Sequence, residues 1–136
     1  MAVINELIRI ESDNTLSFGD YSLEAKAKLD NFVFEGGSYK VKTYKDITKL
    51  ECNDMFVYES VPGTAVIGFT KGTDKVTFTV EGAEDAQITL ELEPESEYEV
   101  AINGESTGCM KTNLGGKLSF SVELENQNAT IVVEKR

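Results

Sequence analysis

Apolar and polar residues alternate with a period of two over much of the stretch from Val76 to Glu134. In the first run, Val76, Phe78 and Val80 alternate with threonines. The apolar positions of the later runs are Ile88, Leu90 and Leu92, then Tyr98, Val100 and Ile102, then Leu118, Phe120, Val122 and Leu124. The apolar stripe of a helix needs spacings of three and four, so this pattern predicts strands with one buried face.

Turn residues fall between these runs. Asn103-Gly104 supplies the positive φ angles of a two-residue hairpin, and residues 113–116 are similarly tolerant of them. Short turns predict antiparallel neighbours, and about seven strands are expected after Thr64. The predicted strands are 65–70, 75–80, 87–92, 97–102, 108–112, 117–124 and 129–134, which is the inventory of an immunoglobulin-like sandwich.

The segment Val61-Pro62-Gly63-Thr64 interrupts the strand pattern. Proline fixes φ at the second position of a turn, and Gly63 is expected to take a positive φ at the third. We therefore predict an all-β protein with an immunoglobulin/fibronectin-like antiparallel β-sandwich at 64–136 and a smaller N-terminal β subdomain at 1–63. The 136 residues, of which 40% are hydrophobic, provide enough apolar material for such a core.

The N-terminal unit gives weaker signals. Residues 23–29 alternate as a strand does, although Ala, Leu, Glu and Lys favour helix, and we predict a strand there. Residues 3–10 fit a short helix and a strand equally well, so both remain open. After a turn at Gly36-Gly37, residues 39–44 are predicted to form a strand with a basic outer face. Asn53-Asp54 is expected to join two further strands, 47–52 and 55–59, in a tight hairpin.

The charge balance bounds the choice of partners. Thirteen Lys and Arg against twenty-four Asp and Glu give a net charge of −11, which repels phosphate backbones and anionic lipid headgroups. We predict no nucleic-acid and no membrane partner. The first ten residues have no basic leader and no continuous apolar run, so a cytoplasmic location is expected unless a leader precedes this sequence. Cys52 and Cys109 lie far apart, as is typical of free thiols in a reducing compartment.

The residue inventory excludes most catalytic sites. The chain has no histidine, so His-based triads and His-ligated metals are absent. Alternation places the carboxylates of the 91–99 region on outer faces or on a corner, where neither member of a glycosidase pair would be desolvated. They are Glu91, Glu93, Glu95, Glu97 and Glu99. We predict no catalytic residues, no cofactor and no metal site.

Two weaker binding hypotheses concern surface groups. Glu81, Glu84 and Asp85 occur together and could ligate calcium, but their spacing matches no loop rule and a solvated acidic surface explains them better. Tyr39, Tyr44 and Tyr58 could form a sugar-stacking platform if they were exposed. Tyrosine packs equally well in ordinary strands, which is the preferred interpretation.

The corner before one strand carries a resemblance to known sandwiches. Leu92, Pro94 and Tyr98 fall at spacings similar to those of fibronectin type III domains, in which the tyrosine hydroxyl bonds to the backbone a few residues upstream. The succession Tyr98-x-Val100, Asn103-Gly104 and Gly116-x-Leu118-x-Phe120 resembles the β-sandwich modules of bacterial carbohydrate-active enzymes.

Over its whole length the chain also resembles short proteins of gut anaerobes that carry the name endosialidase. The resemblance lies in residues 40–43, 47–51, 58–66 and 111–120. It implies a role in processing sialoglycans. Sialidase propellers, however, clamp the sugar carboxylate with three arginines, and this chain has Arg9 and Arg136 alone and no Trp.

These observations predict a non-catalytic β-sandwich that acts as a binding or assembly module. The alternative is a carbohydrate-binding module associated with sialoglycan processing. We expect a homo-oligomer formed through strand edges, with a protein or a glycan as a further partner. Residues 39–44 are the predicted edge, and Lys40 and Lys42 would face the acidic strand of a neighbouring copy at Glu97 and Glu99.

Overall fold

The computed structural model describes residues 3–136 as two antiparallel β-sheets packed face to face. Met1 and Ala2, with which the predicted N-terminal unit begins, lie outside the described residues. The strands are β1 (Ile8–Ile10), β2 (Leu16–Phe18), β3 (Ala27–Phe34), β4 (Gly37–Tyr44), β5 (Ile47–Cys52), β6 (Met55–Val61), β7 (Ala65–Lys71), β8 (Lys75–Gly82), β9 (Ala86–Glu91), β10 (Glu97–Ile102), β11 (Glu105–Lys111), β12 (Lys117–Val122) and β13 (Gln127–Lys135).

The two sheets have seven and six strands. The seven-stranded sheet has the order β1-β2-β7-β8-β13-β10-β11, and the six-stranded sheet has the order β12-β9-β6-β5-β4-β3. The predicted all-β antiparallel sandwich is therefore confirmed. Each of the seven strands predicted after Thr64 has a counterpart among β7–β13, five of them in the larger sheet and two in the smaller.

One hydrophobic core fills the space between the sheets. Alternation along β8 turns Val76, Phe78 and Val80 inward, and the same pattern buries Ile131 and Val133 on β13. Four rings meet in this core with centroid distances between 5.3 and 5.9 Å, a spacing at which edge-on and tilted aromatic pairs attract each other. They belong to Phe18, Tyr58, Phe69 and Phe78.

A buried hydroxyl network anchors the crossing from β6 to β7, where the chain passes from one sheet to the other. The Thr64 hydroxyl lies 2.8 Å from the Tyr58 hydroxyl and 2.7 Å from that of Ser60. The Thr48 hydroxyl donates to the Thr64 carbonyl at 2.8 Å and lies 2.8 Å from the Thr43 hydroxyl. All five residues are fully buried, so these bonds supply the partners that their polar atoms need.

Strands from both predicted units share both sheets. In the larger sheet β2 pairs with β7, and in the smaller sheet β6 pairs with β9. The core likewise contains side chains from both sides of Thr64. The boundary predicted between residues 63 and 64 thus lies at a crossing between sheets, and whether either unit folds by itself stays a prediction.

Two predicted hairpin turns have the expected backbone. Asn53 and Asp54 have φ angles of 52° and 64°, and Asn103 and Gly104 have φ angles of 53° and 84°. Positive φ at both central residues matches the right-handed twist of the flanking strands. The expected bond at the Tyr98 corner is also confirmed, because the Glu93 N–H donates to the Tyr98 hydroxyl at 3.2 Å.

The positive φ predicted for Gly63 is wrong. The Val61–Pro62 peptide is cis, and Gly63 does not belong to the glycines with positive φ. Close approach explains this glycine instead, because a Cβ there would lie 2.0 Å from the carbonyl oxygen of Tyr44.

The strand predicted over residues 23–29 begins later and ends later. It runs from Ala27 to Phe34, and residues 23–26 form an irregular segment with bends at residues 24 and 25. A register shift between Leu29 and Phe32, where Asn31 has a φ of 60°, breaks the alternation and hid the second half of the strand. In the stretch 3–10 the structure has an irregular segment followed by β1, and no helix.

The edge predicted at residues 39–44 is wrong. These residues belong to β4, which is paired on one side with β3 and on the other with β5. The acidic strand β10 is also internal, between β13 and β11. The backbones of both strands are occupied, so they cannot pair with each other across two copies.

Candidate functional site

The outer surface of the six-stranded sheet carries a group of lysines on β3, β4 and β5. Inward-facing Val41, Thr43 and Leu50 alternate with the lysines of β4 and β5, so the lysines point away from the core. We call this surface the lysine face; it consists of Lys28, Lys40, Lys42 and Lys49.

Three of these lysines form one row across adjacent strands. Lys42 is directly opposite Lys28 on one side and directly opposite Lys49 on the other. Like charges at directly opposite positions destabilise a sheet. Within residues 3–136, no carboxylate oxygen lies within 4.0 Å of the ammonium groups of Lys28, Lys42 or Lys49. On its other side Lys49 is directly opposite Glu59 of β6, so the row ends at a carboxylate, although in the described part of the chain no ion pair within 4.0 Å relieves the repulsion of Lys42 with Lys28 and Lys49.

The lysine face surrounds a shallow depression of about 160 Å³. Its fifth lining residue is Glu51, whose carboxylate lies 3.8 Å from the Lys40 ammonium. Lys42 and Lys49 are half-buried, whereas Lys28 and Lys40 are exposed. The depression is therefore an open hollow with several ammonium groups at its rim and one carboxylate in its lining.

Aromatic rings border the lysine face. The Phe56 ring has the Lys117 ammonium 4.7 Å from its centroid and the Lys49 ammonium 5.8 Å away. The Tyr44 ring has the Lys26 ammonium at 5.9 Å. Both rings are half-buried, so part of each remains open to solvent beside positive charge.

The charge of this surface contrasts with that of the whole chain. The protein has a net charge of −11 and therefore an excess of carboxylates that could have neutralised the lysines. Two carboxylates face the lysines across neighbouring strands, with Glu51 opposite Lys40 and Glu59 opposite Lys49, whereas Glu99 is bound to Arg136 and Glu93 to Lys135. With four lysines against these two carboxylates, the lysine face keeps a net positive charge on an acidic molecule.

The structure does not arrange the three residues of the calcium hypothesis as metal ligands. Glu81 is buried on β8 with 8% exposure, and Glu84 is exposed. An Asp85 carboxylate oxygen accepts the Leu124 N–H at 3.1 Å. Across residues 3–136 no group of three or more acidic, Cys or His side chains is arranged to hold a metal ion.

The three tyrosines do not form a platform. Tyr58 is fully buried in the core, and Tyr39 is half-buried with its ring 6.1 Å from that of Phe34. Tyr44 alone lies on the outer surface, beside Lys26. Ordinary packing, the preferred interpretation, holds for Tyr39 and Tyr58.

The carboxylates of the 91–99 region lie on outer strand faces or on the corner between β9 and β10, as predicted. Glu91 is 3.1 Å from the Lys117 ammonium, and a Glu99 oxygen accepts the Ser106 hydroxyl at 2.7 Å. The remaining three, Glu93, Glu95 and Glu97, are exposed. None of the five is buried, and burial is what raises the pKa of a catalytic acid.

A buried acidic cluster lies behind the N-terminal segment. Asp20, Tyr21 and Glu81 are each less than a tenth exposed. Burial, together with the facing carboxylates of Glu81 and Asp20, raises the pKa of Tyr21 to about 12. The Asp20 carboxylate accepts the backbone N–H of Ser22 at 3.0 Å and also its hydroxyl. The cluster is closed from solvent, which suits a structural role.

Both cysteines are free thiols. Cys52 is half-buried on β5 of the smaller sheet, and Cys109 is exposed on β11 of the larger sheet.

The lysine row was not predicted from the sequence. Lysines at positions 26 and 28, at 40 and 42, and at 49 do show a period of two, and the two hairpins that join β3, β4 and β5 are local. From the sequence, the short turn between β4 and β5 could have been used to predict that Lys42 is opposite Lys49. The bulge in β3 concealed the alignment of Lys28.

Within the described part of the chain, no helix has the length and apolar character required to cross a bilayer. No protein-family model matches this chain, and no curated protein and no solved structure matches it either.

Proposed function

We propose that this protein is a non-catalytic binding module that holds an anionic partner on the lysine face. The observation that carries the proposal is the row Lys28, Lys42 and Lys49, in which like charges stand directly opposite each other without ion pairs. An anion that occupied the row would relieve the repulsion between these lysines, so its binding would offset the destabilisation that they cause.

The residue inventory supports the non-catalytic part of the proposal. The chain has no histidine, and the carboxylates of the 91–99 region are not desolvated. The buried hydroxyl groups of Ser60 and Thr64 are bonded to each other and are closed to a substrate. Binding requires only the charges and shape of the lysine face.

A glycan that carries carboxylates is the partner class that the neighbouring groups favour. Phe56 and Tyr44 border the lysine face, and aromatic rings stack on the apolar faces of sugars while ammonium groups bind carboxylates. The carbohydrate-binding alternative predicted from the sequence is therefore the second, more specific form of the proposal.

The test is a titration of the pure protein with polysialic acid, neutral dextran and polyglutamate at matched chain length. We expect polysialic acid to bind, dextran not to bind, and affinity to fall as salt rises. The variant Lys42→Gln should weaken binding by about fivefold, since an exposed ion contact contributes roughly 1 kcal/mol.

The matched control is Lys75→Gln, which removes one lysine from the other sheet and should leave binding unchanged. Binding of polyglutamate but not of polysialic acid would replace the glycan by an acidic protein partner. If neither polyanion binds, or if Lys42→Gln and Lys75→Gln have equal effects, the lysine face is not the site.

A further inference from the structure

A second hollow adjoins the lysine face at the start of β4. It has a volume of about 400 Å³ and lies beside the depression of the lysine face, and Lys40 lines both of them. Apart from Lys40 and the half-buried Tyr39, its lining consists of uncharged polar and acidic side chains. We call it the polar hollow; these residues are Asp30, Asn31, Ser38, Asn53 and Asp54.

The bulge in β3 forms one side of the polar hollow. Two residues of β3, Asp30 and Asn31, share the position opposite Lys40, and both are exposed. Asn31 has a φ of 60°, which asparagine adopts more readily than most residues do. Bulges re-aim side chains and are common next to functional sites. This one places a carboxylate and an amide beside the ammonium group that the two hollows share.

The turn between β5 and β6 forms the other side. Asn53 and Asp54 are its two central residues, and both are exposed. The Asn53 side-chain oxygen accepts the Ser38 N–H at 3.0 Å, so the NH2 group of Asn53 is left as a donor. Among residues 3–136, no lysine or arginine nitrogen lies within 4.0 Å of the Asp30 or Asp54 carboxylates. The polar hollow therefore offers donors and acceptors that suit hydroxyl and amide groups.

The charge changes sign along the outer side of β4. The depression has four lysines against Glu51, whereas the polar hollow has Lys40 against Asp30 and Asp54. Lys42 in the lysine row and Ser38 in the polar hollow are four residues apart on the same face of the strand, which is about 13 Å. A carboxylate is therefore attracted at one end of this surface and repelled at the other.

We propose that the two hollows together bind one acidic saccharide in which carboxylated and neutral sugar residues alternate. The carboxylate lies in the depression among the lysines, and the hydroxyl and amide groups of the neighbouring neutral residue bond to the polar hollow. Lys40 contacts both sugar residues. This inference rests on the proposed function of the lysine face and adds the class of saccharide that the surface selects.

Other polymers satisfy only one of the two hollows. A saccharide with a carboxylate on every residue would place its second carboxylate beside Asp30 and Asp54, where like charges repel. A neutral saccharide leaves the lysine row without a counter-charge. An acidic polypeptide such as polyglutamate has no hydroxyl groups for the polar hollow. Selection thus depends on the pattern of charge along the ligand and not on its total charge.

The test is a calorimetric titration of the full chain with two saccharides of equal residue number. One is a hyaluronan oligosaccharide, in which glucuronate alternates with N-acetylglucosamine, and the other is oligosialic acid, which has a carboxylate on every residue. We expect the hyaluronan oligosaccharide to bind about fivefold more tightly, the effect of one exposed charge contact, although it carries fewer charges.

Two variants examine the polar hollow without removing its hydrogen-bonding groups. Asp30→Asn and Asp54→Asn should each tighten the binding of oligosialic acid by about threefold and leave hyaluronan binding within about twofold. Both positions are exposed, and Asn is tolerated at the positive φ of residue 54, so the fold is expected to persist. The matched control is Asp46→Asn, which makes the same charge change at the opposite end of β5 and should leave the ratio of the two affinities unchanged.

The outcomes separate this inference from the proposed function. A preference for oligosialic acid, equal affinities, or an equal change of the ratio in Asp46→Asn and the two variants would overturn the selection. If Lys42→Gln still weakened binding in that case, the lysine face would remain an anion site. If neither saccharide bound, or if Lys42→Gln had no effect, the proposed function would fail and this inference with it.

Discussion

At the residue scale, Gly63 shows how a close backbone approach selects an amino acid. A Cβ there would lie 2.0 Å from the Tyr44 carbonyl oxygen, which is backbone and cannot rotate away. We expect Gly63→Ala to lower the free energy of unfolding by about 3 kcal/mol or more, as measured by urea denaturation. Gly115→Ala is the control, because its nearest neighbour would be the Asn113 side-chain oxygen at 3.5 Å and its φ is not positive. If Gly115→Ala changed the free energy of unfolding by more than about 1 kcal/mol, the explanation by close approach would be contradicted.

The Thr64 hydroxyl offers a second prediction at this scale. It is the hydrogen-bond partner of the Tyr58 and Ser60 hydroxyls, both fully buried. Thr64→Val keeps the shape but leaves these groups unpaired, so a loss of about 1–3 kcal/mol is expected in thermal unfolding. The same substitution at Thr89, whose hydroxyl bonds to Ser119 at the surface, should cost less than about 0.5 kcal/mol. Equal effects at the two sites would show that burial of the network is unimportant.

At the scale of the element, β4 is the strand in which the proposed binding of an anion and stability are expected to oppose each other. Lys42 stands between Lys28 and Lys49, so Lys42→Thr should raise the free energy of unfolding by about 0.2–1 kcal/mol while it weakens polyanion binding. Lys40→Thr is the control on the same strand, because Lys40 is 3.8 Å from the Glu51 carboxylate and its loss brings no such gain. Destabilisation by Lys42→Thr would mean that the lysine row is structural.

The pair β1 and β2 contains an acid-sensitive contact. The Glu11 carboxylate accepts the Ser17 hydroxyl and the Arg9 Nε–H, the latter at 3.0 Å. The Ser17 bond is the main reason that the pKa of Glu11 lies below its ordinary 4.5. A carboxyl group whose pKa is lowered on folding stabilises the folded state at pH values above its unfolded pKa. This stabilisation is lost as the pH falls through the lowered pKa of the folded state. The difference in stability between the wild type and Glu11→Gln should therefore shrink as the solution is acidified below pH 4.5. A constant difference down to the acid limit would contradict it.

At the scale of the whole molecule, buried tyrosines make the fold sensitive to alkali. Burial raises the pKa of Tyr58, and it raises the pKa values of Tyr21 and Tyr39 to about 12. The folded state holds these phenol protons more tightly than the unfolded state does. The free energy of unfolding is therefore unaffected by them at pH values below the ordinary tyrosine pKa of 10.0 and falls as the pH rises above 10.0. Denaturation series at rising pH, with phenolate absorbance as the second signal, should show Tyr58 ionising together with unfolding. A phenolate signal that is complete before unfolding would refute this.

The division of the chain is also a question for the whole molecule. Without residues 1–63, the smaller sheet would retain β9 and β12 alone, and two-stranded sheets are marginal in water. If the predicted division were correct, residues 64–136 would fold by themselves, but the shared sheets favour the opposite result. We expect poorly dispersed amide spectra from 64–136 alone and native dispersion when 1–63 is added as a separate chain. A well-dispersed spectrum from 64–136 alone would restore the two-unit description.

What the sequence by itself determined is local. Alternation placed the strands of the second half, and Asn53-Asp54 and Asn103-Gly104 marked hairpins because few residues accept two successive positive φ angles. The exception was β3, where a bulge at Asn31 shifted the period within one strand.

The tertiary structure decided which strands are neighbours. β12 is an edge of the smaller sheet because β9 joins β6 across residues 62–85, a pairing that no local pattern encodes, whereas β4 is internal through its two local hairpins. The packing of the two sheets against each other, which buries Val41, Thr43 and Leu50, determines that the lysine face is an outer surface. Period and turn chemistry act over a few residues, whereas strand order depends on how all the apolar faces can be buried at once.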